Sequence, residues 1–211
     1  MANFLATPKH SGPAPGLIVI QEWWGLNDHI KNVTERLAAE GFVALAPDLY
    51  DGTVTKDPSV AGNLMQSLDE KKAIEKLNDA VESLKSNPNV ANGRVGVIGF
   101  CMGGTYSLLL SCNNKDIRAA VPFYGKVPPD SVLQKLNAPV MYVYAGKDQW
   151  ITKQEVDGLE AVLKKTGNAG AVVRYPNADH AFFNDTRSEV YNAAAAKDAW
   201  DKAVAFLREN V

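Results

Sequence analysis

Short runs of β-branched and other apolar residues alternate along this chain with longer stretches in which apolar residues recur every three or four positions. The runs at Leu17–Gln21, Phe42–Ala46, Arg94–Gly99, Arg118–Tyr124, Pro139–Ala145 and Ala171–Tyr175 predict six strands, several of them apolar throughout rather than alternating. A strand buried on both faces reads that way, which points to a parallel sheet covered by helices on each side. In the intervening stretches Ile30, Val33 and Leu37 share one helical face, with Gly41 placed just past the helix end. Ser67 and Glu70 have capping-box spacing ahead of Ile74, Leu77, Val81 and Leu84. Thr152 and Glu155 repeat it ahead of Val156, Leu159 and Leu163, with Gly167 beyond. A last helix, about Val190–Glu209, turns Trp200, Val204 and Leu207 inward. This alternation predicts one α/β domain over residues 1–211, with right-handed crossovers. The stretch Asp51–Gln66, rich in Gly, Thr, Asp and Pro, is the least regular and reads as an exposed linker or as part of a lid over a pocket.

Composition narrows the function classes. A chain of 211 residues with 46% hydrophobic residues is long enough to bury a full core without staples. Its 22 basic and 24 acidic residues leave a net charge of -2, which lacks the basic excess of a nucleic-acid module. No apolar run reaches the length of a membrane span, and the opening MANFLATPKH lacks the pattern of a secretory signal. Two cysteines cannot build a disulfide scaffold, so a reduced, cytoplasmic setting is expected. Metal-ligand spacing such as H-E-x-x-H is missing, so a zinc hydrolase is not expected.

The chemistry concentrates in Arg94-Val-Gly-Val-Ile-Gly-Phe-Cys-Met-Gly-Gly104. An apolar strand ends at Gly99, a Leu-rich helix is expected from near Thr105, and one cysteine stands between them in a frame of glycines. That is the pattern of a nucleophile elbow, with Cys101 where serine is commoner. The turn is strained, side chains at its flanks would meet neighbouring backbone, and the helix that follows favours thiolate through its amides and dipole. A dinucleotide loop is the competing reading. It fails because aligning Gly99–Gly104 on G-x-G-x-x-G puts Cys101 where phosphate must approach bare backbone, and no acidic residue follows the next strand, which ends Phe123-Tyr124-Gly125. Cys112, near the end of the following helix, reads as a buried structural thiol.

A nucleophile needs a base and the base an orienter. Of three histidines, His10 lies in a Pro/Gly-rich stretch and His29 in the first turn of a surface helix, so both are expected to face solvent. His180, in Pro176-Asn-Ala-Asp-His-Ala-Phe-Phe183, follows the last strand, and Asp148, in Gly146-Lys-Asp148, follows the strand before it. Loops at the carboxyl ends of parallel strands are where such sheets place their sites, and the order nucleophile, acid, histidine is that of α/β-hydrolases. Gln21-Glu-Trp-Trp-Gly25 ends an earlier strand, so the oxyanion amides are expected to be those of Met102 and Trp23.

Taken together, Gln21-Glu-Trp-Trp-Gly25, Pro47-Asp-Leu-Tyr50, Gly99-Phe-Cys-Met-Gly-Gly104, Phe123-Tyr-Gly125, Gly146-Lys-Asp148 and Asp179-His-Ala-Phe182 resemble the dienelactone hydrolase family, over nearly the whole chain. The resemblance implies a single-domain α/β-hydrolase fold, Cys101 as nucleophile, His180 as base, Asp148 as its orienter, Glu22 as a group that holds the thiol until substrate arrives, and Tyr124 in the pocket. It implies a carboxylated lactone opened through an acyl-enzyme, with no cofactor, no nucleic-acid or membrane partner, and a monomer. The chain departs from the family where substrate is held. Two arginines grip the carboxylate in dienelactone-acting members, but here no arginine lies between Arg36 and Arg94, and the position four past the histidine is Asn184. Arg187 and Lys56 are the cations left to substitute, and a lysine cannot reproduce a bidentate grip. A general short-chain esterase acting on neutral esters, and a non-catalytic small-molecule binder, are the alternatives.

Overall fold

The computed structural model of the protein describes residues 3–9 and 12–211. Its strands are β1 (Phe4–Ala6), β2 (Ala14–Ile20), β3 (Val43–Ala46), β4 (Val90–Phe100), β5 (Ile117–Phe123), β6 (Met141–Ala145) and β7 (Ala171–Tyr175). Its helices are α1 (Asp28–Ala39), α2 (Pro58–Ser67), α3 (Glu70–Lys85), α4 (Met102–Asn113), α5 (Asp130–Leu133), α6 (Lys153–Thr166) and α7 (Ala193–Asn210). The strands form one sheet in the order β1-β3-β2-β4-β5-β6-β7, with β1 antiparallel to β3 and the other pairings parallel.

Both faces of the sheet are covered, as the unbroken apolar runs require. Along β2, Ile18 and Ile20 belong to a core shared with α3, α4 and α6 on one face, whereas Leu17 and Val19 belong to a core shared with α1 and α7 on the other. Trp200, Val204 and Leu207 of α7 are buried in the second of these cores. Among the described residues, no helix is long and apolar enough to cross a membrane.

Several boundaries differ from the pattern-based expectation. The α3 cap is Asp69, whose carboxylate accepts from the Lys72 amide at 2.9 Å, while Ser67 ends α2 and its hydroxyl donates to the Leu64 carbonyl. Asp69 stands immediately before the helix and caps as well as serine does, so it replaces the Ser67–Glu70 spacing, Ser67 being taken up by α2. By contrast, Thr152 and Glu155 form the reciprocal capping box, and Gly167 closes α6 in the left-handed region at φ 67°. The irregular stretch from Asp51 contains α2, started by Pro58 and capped by Asp57, with only Ala61 buried. Its polar sequence hides the helix because almost nothing in it faces the core. The helix after the elbow begins at Met102, not near Thr105, since the turn is made by Cys101 alone. Strand β1 and helix α5, three and four residues long, are too short to carry a period.

Candidate active site

The carboxyl ends of five strands converge on one side of the sheet. They supply Glu22 and Trp23 after β2, Cys101 after β4, Tyr124 after β5, Asp148 after β6 and His180 after β7. The site is therefore assembled by topology from segments up to 158 positions apart, each delivered by a strand whose register is fixed.

Cys101 stands at φ 54° and ψ -116°, outside the regions an L-residue prefers, and strain of this kind costs about 1–3 kcal/mol. The surrounding structure holds it there. Its amide donates to the Phe123 carbonyl at 3.0 Å, and its own carbonyl accepts from the amides of Gly104 and Thr105. The flanking glycines are spatially obligatory. A Cβ on Gly99 would lie 2.1 Å from the Gly103 carbonyl oxygen, and one on Gly103 would lie 2.3 Å from that of Ile20. The elbow, α4 and the end of β2 are thus in backbone contact, which sets Cys101 beside the Glu22–Trp23 turn.

Among the described residues, neither the Met102 nor the Trp23 amide donates to another protein group. Met102 is the first residue of α4, where the free amides carry the positive end of the helix dipole.

His180 and Asp148 form a short pair, Nδ1 to Oδ2 at 2.6 Å, with the Asp148 side chain fully buried and the imidazole 11% exposed. The other oxygen of Asp148 accepts from the Trp150 and Ile151 amides at 2.9 and 3.0 Å. With both oxygens of the carboxylate engaged, its orientation and that of the imidazole are fixed. Burial alone would lower the His180 pKa, but the hydrogen bonds to Asp148 and Cys101, with their charges, outweigh it and push the value up to about 10. The paired imidazole is therefore a stronger base than a free one, on the side that faces Cys101.

That shift has a consequence for stability. His180 titrates from 6.5 in a free chain to about 10 in the fold, so its contribution is fully present below pH 6.5 and fades as pH climbs toward 10. Urea unfolding of the native chain and of His180→Gln at pH 6.5, 8 and 10 is expected to show a stability gap that narrows with rising pH. A constant gap would contradict the assignment.

Glu22 is 1% exposed, and its carboxylate accepts from the Asn184 side-chain amide at 2.7 Å. Burial raises its pKa, against the Asn184 hydrogen bond and the nearby charges of His180 and Arg187. The partner of Glu22 in this conformation is thus Asn184, itself buried, and among the described residues no hydrogen bond joins Glu22 to Cys101. This pairing across 162 positions has no local sequence signal. Tyr124, at φ 38°, is fully buried with its ring centroid 5.0 Å from that of His180, and its hydroxyl has no hydrogen-bond partner among the described residues.

Arg187 is engaged by Glu189, with its Nε 2.8 Å from the carboxylate, and lies over the Trp24 ring. With the exposed Lys56 it lines a cavity of about 720 Å³ between the β2–α1 loop, residues 54–58 and the loop after His180. Cys101, Asp148 and His180 do not line that cavity, and Asn184 does.

His29 departs from expectation. It is 5% exposed, with Nδ1 3.2 Å from Asp185, because its position four residues before Val33 puts it on the apolar face of α1. His10 lies outside the described residues. Cys112 is buried as expected, and both cysteines are free thiols. Among the described residues, no group of three or more His, Cys, Asp or Glu side chains is arranged to hold a metal.

A family model described as the dienelactone hydrolase family matches residues 1–211. The chain is 38% identical to Protein usf of Aquifex pyrophilus, over 98% of this chain and 92% of that protein. It is 34% identical to a carboxymethylenebutenolidase-like protein of Aquifex aeolicus, with the same coverage. Its backbone superposes with a TM-score of 0.89 on the crystal structure of a dienelactone hydrolase-like protein from Klebsiella pneumoniae, at 30% identity over 96% of this chain and 90% of the other.

Proposed function

Because this chain belongs to the dienelactone hydrolase family of ester hydrolases with the α/β-hydrolase fold, we propose that it opens small lactones and esters through an acyl-enzyme on Cys101. The single observation that carries the reading is the strained Cys101 elbow joined to a His180 whose other nitrogen is pinned by buried Asp148 at 2.6 Å. His180 takes the thiol proton, and the sulfur attacks the carbonyl carbon as the C=O electron pair moves to oxygen. The Met102 and Trp23 amides, free of other acceptors, receive that oxyanion. Collapse expels the alkoxide, which takes the proton from His180. Water then enters through the same histidine and releases the acid, leaving the thiol as it began.

The reading includes a reduced, cytoplasmic setting, with which the free thiols of Cys101 and Cys112 are compatible, and a monomer.

Iodoacetamide tests the nucleophile. One label on Cys101 is expected to abolish hydrolysis of 4-nitrophenyl acetate in step with its incorporation, while buried Cys112 stays unlabelled. Full activity in the Cys101-labelled protein would remove the mechanism.

A second reading, turnover of neutral esters rather than carboxylated lactones, is favoured by what surrounds Asn184. That side chain is spent on Glu22, and Arg187 is spent on Glu189. A substrate carboxylate placed there meets a buried acid instead of a paired guanidinium. The methyl ester of a dienelactone is therefore expected to be hydrolysed at least about tenfold faster than the free acid, about 1.4 kcal/mol in the barrier. Preference for the acid would instead assign the grip to Arg187 and Lys56.

A further inference from the structure

Trp150 is the most exposed large apolar side chain among the described residues, at 70%. It is not on a loose loop. Its amide is bonded to Asp148, and the turn that carries it is tied to the His180 loop by the Gly146 amide on the Tyr175 carbonyl at 2.8 Å and the Lys147 amide on the Ala178 carbonyl at 2.9 Å. The indole stands edge to face with His180, ring centroids 4.9 Å apart and planes at 76°. Tyr124 packs on the same imidazole at 5.0 Å from inside the protein. The histidine thus has one buried aromatic neighbour and one that faces solvent on a fixed backbone.

Resting on the hydrolase reading above, we infer that Trp150 is the outer wall of a leaving-group subsite, and that the subsite selects esters with planar, unsaturated leaving groups such as aryl or enol oxygens. The argument follows the departing atoms. When the tetrahedral adduct collapses, the bond from the acyl carbon to the leaving oxygen breaks and its electron pair stays on that oxygen. The proton on His180 passes to it, so the leaving group must lie within hydrogen-bond reach of the free edge of the imidazole. Since Nδ1 is bonded to Asp148, that edge is Nε2. The exposed group held against this ring is the Trp150 indole, whose large face stacks on a planar partner and gains little from a small saturated alkoxide. Because its backbone is already fixed, stacking costs little further ordering.

The test compares kcat/KM for phenyl acetate and 2,2,2-trifluoroethyl acetate, which share the acyl group and differ in leaving-group shape. The native chain, Trp150→Ala and Trp150→Phe are measured, with Cys101→Ala as control. The phenyl-to-trifluoroethyl ratio is expected to fall roughly three- to tenfold in Trp150→Ala and to recover in Trp150→Phe, which keeps a face for stacking. The pH profile on the trifluoroethyl ester is read alongside and should keep its midpoints. An unchanged ratio in Trp150→Ala would overturn the inference. So would equal losses on both esters with a displaced pH profile, because Trp150 would then only brace the Asp148–His180 pair. Turnover that survives in Cys101→Ala would remove the Cys101 acyl-enzyme on which the inference rests, and no turnover of either ester by the native chain would remove the hydrolase reading itself.

Discussion

Asp148→Asn is expected to lower kcat about 10⁴-fold without unfolding the protein. The carboxylate has two separate duties. One oxygen receives the Trp150 and Ile151 amides, and an asparagine carbonyl can keep both bonds. The other accepts from His180 Nδ1 at 2.6 Å, and there asparagine presents an NH₂. To meet that donor, Nδ1 must become the acceptor, so the neutral imidazole carries its proton on Nε2. The base then faces Cys101 with an N–H instead of a lone pair. The same change removes the negative charge that helps hold the His180 pKa near 10. A loss of kcat with little change in thermal unfolding is therefore the expected signature. A variant within tenfold of the native rate would show that Asp148 does not orient His180.

Gly103→Ala is expected to cost at least about 3 kcal/mol, or roughly 6–12 °C in Tm for a chain of this size. The new methyl would sit 2.3 Å from the Ile20 carbonyl oxygen and 2.6 Å from that of Gln21. Both are backbone atoms at the end of β2, so relief requires moving the strand or the whole of α4. Either movement separates Cys101 from the Trp23 amide, and activity should fall with stability. Gly158→Ala is the matched control. It lies within α6 with nothing inside 4 Å of the added carbon, and the higher helix propensity of alanine should raise stability by up to about 1 kcal/mol. Calorimetry on the two variants separates close approach from generic glycine replacement. Equal Tm values for native and Gly103→Ala would contradict the packing described for the elbow.

The parts of the molecule that were legible in the sequence are those where a local pattern and a tertiary requirement coincide. The apolar strands are read from their composition because both faces of the sheet are covered. Cys101, Asp148 and His180 are brought together because each follows a strand of a parallel sheet, and chain order alone then places them on one edge. The glycines at 99 and 103 are legible because only close backbone contact explains them at that spacing. What escaped depends on pairings with no local signature. The Glu22–Asn184 bond joins residues 162 apart. The caps of α2 and α3, Asp57 and Asp69, sit in a polar stretch where several residues can cap, and α2 buries too little to show a period. His29 was legible in principle. Its spacing to Val33 marks it as inward, and treating histidine as a surface residue concealed it.

The central claim is that Cys101 becomes covalently acylated in each turnover. It is tested most directly by mixing the protein with excess 4-nitrophenyl acetate, quenching in acid at early times, and measuring intact and peptide masses. The account predicts one acetyl group per chain, carried by the peptide containing Cys101, lost on treatment with neutral hydroxylamine, and missing from Cys101→Ala. An unacylated Cys101 in protein that is turning over, with Cys101→Ala equally active, would contradict it.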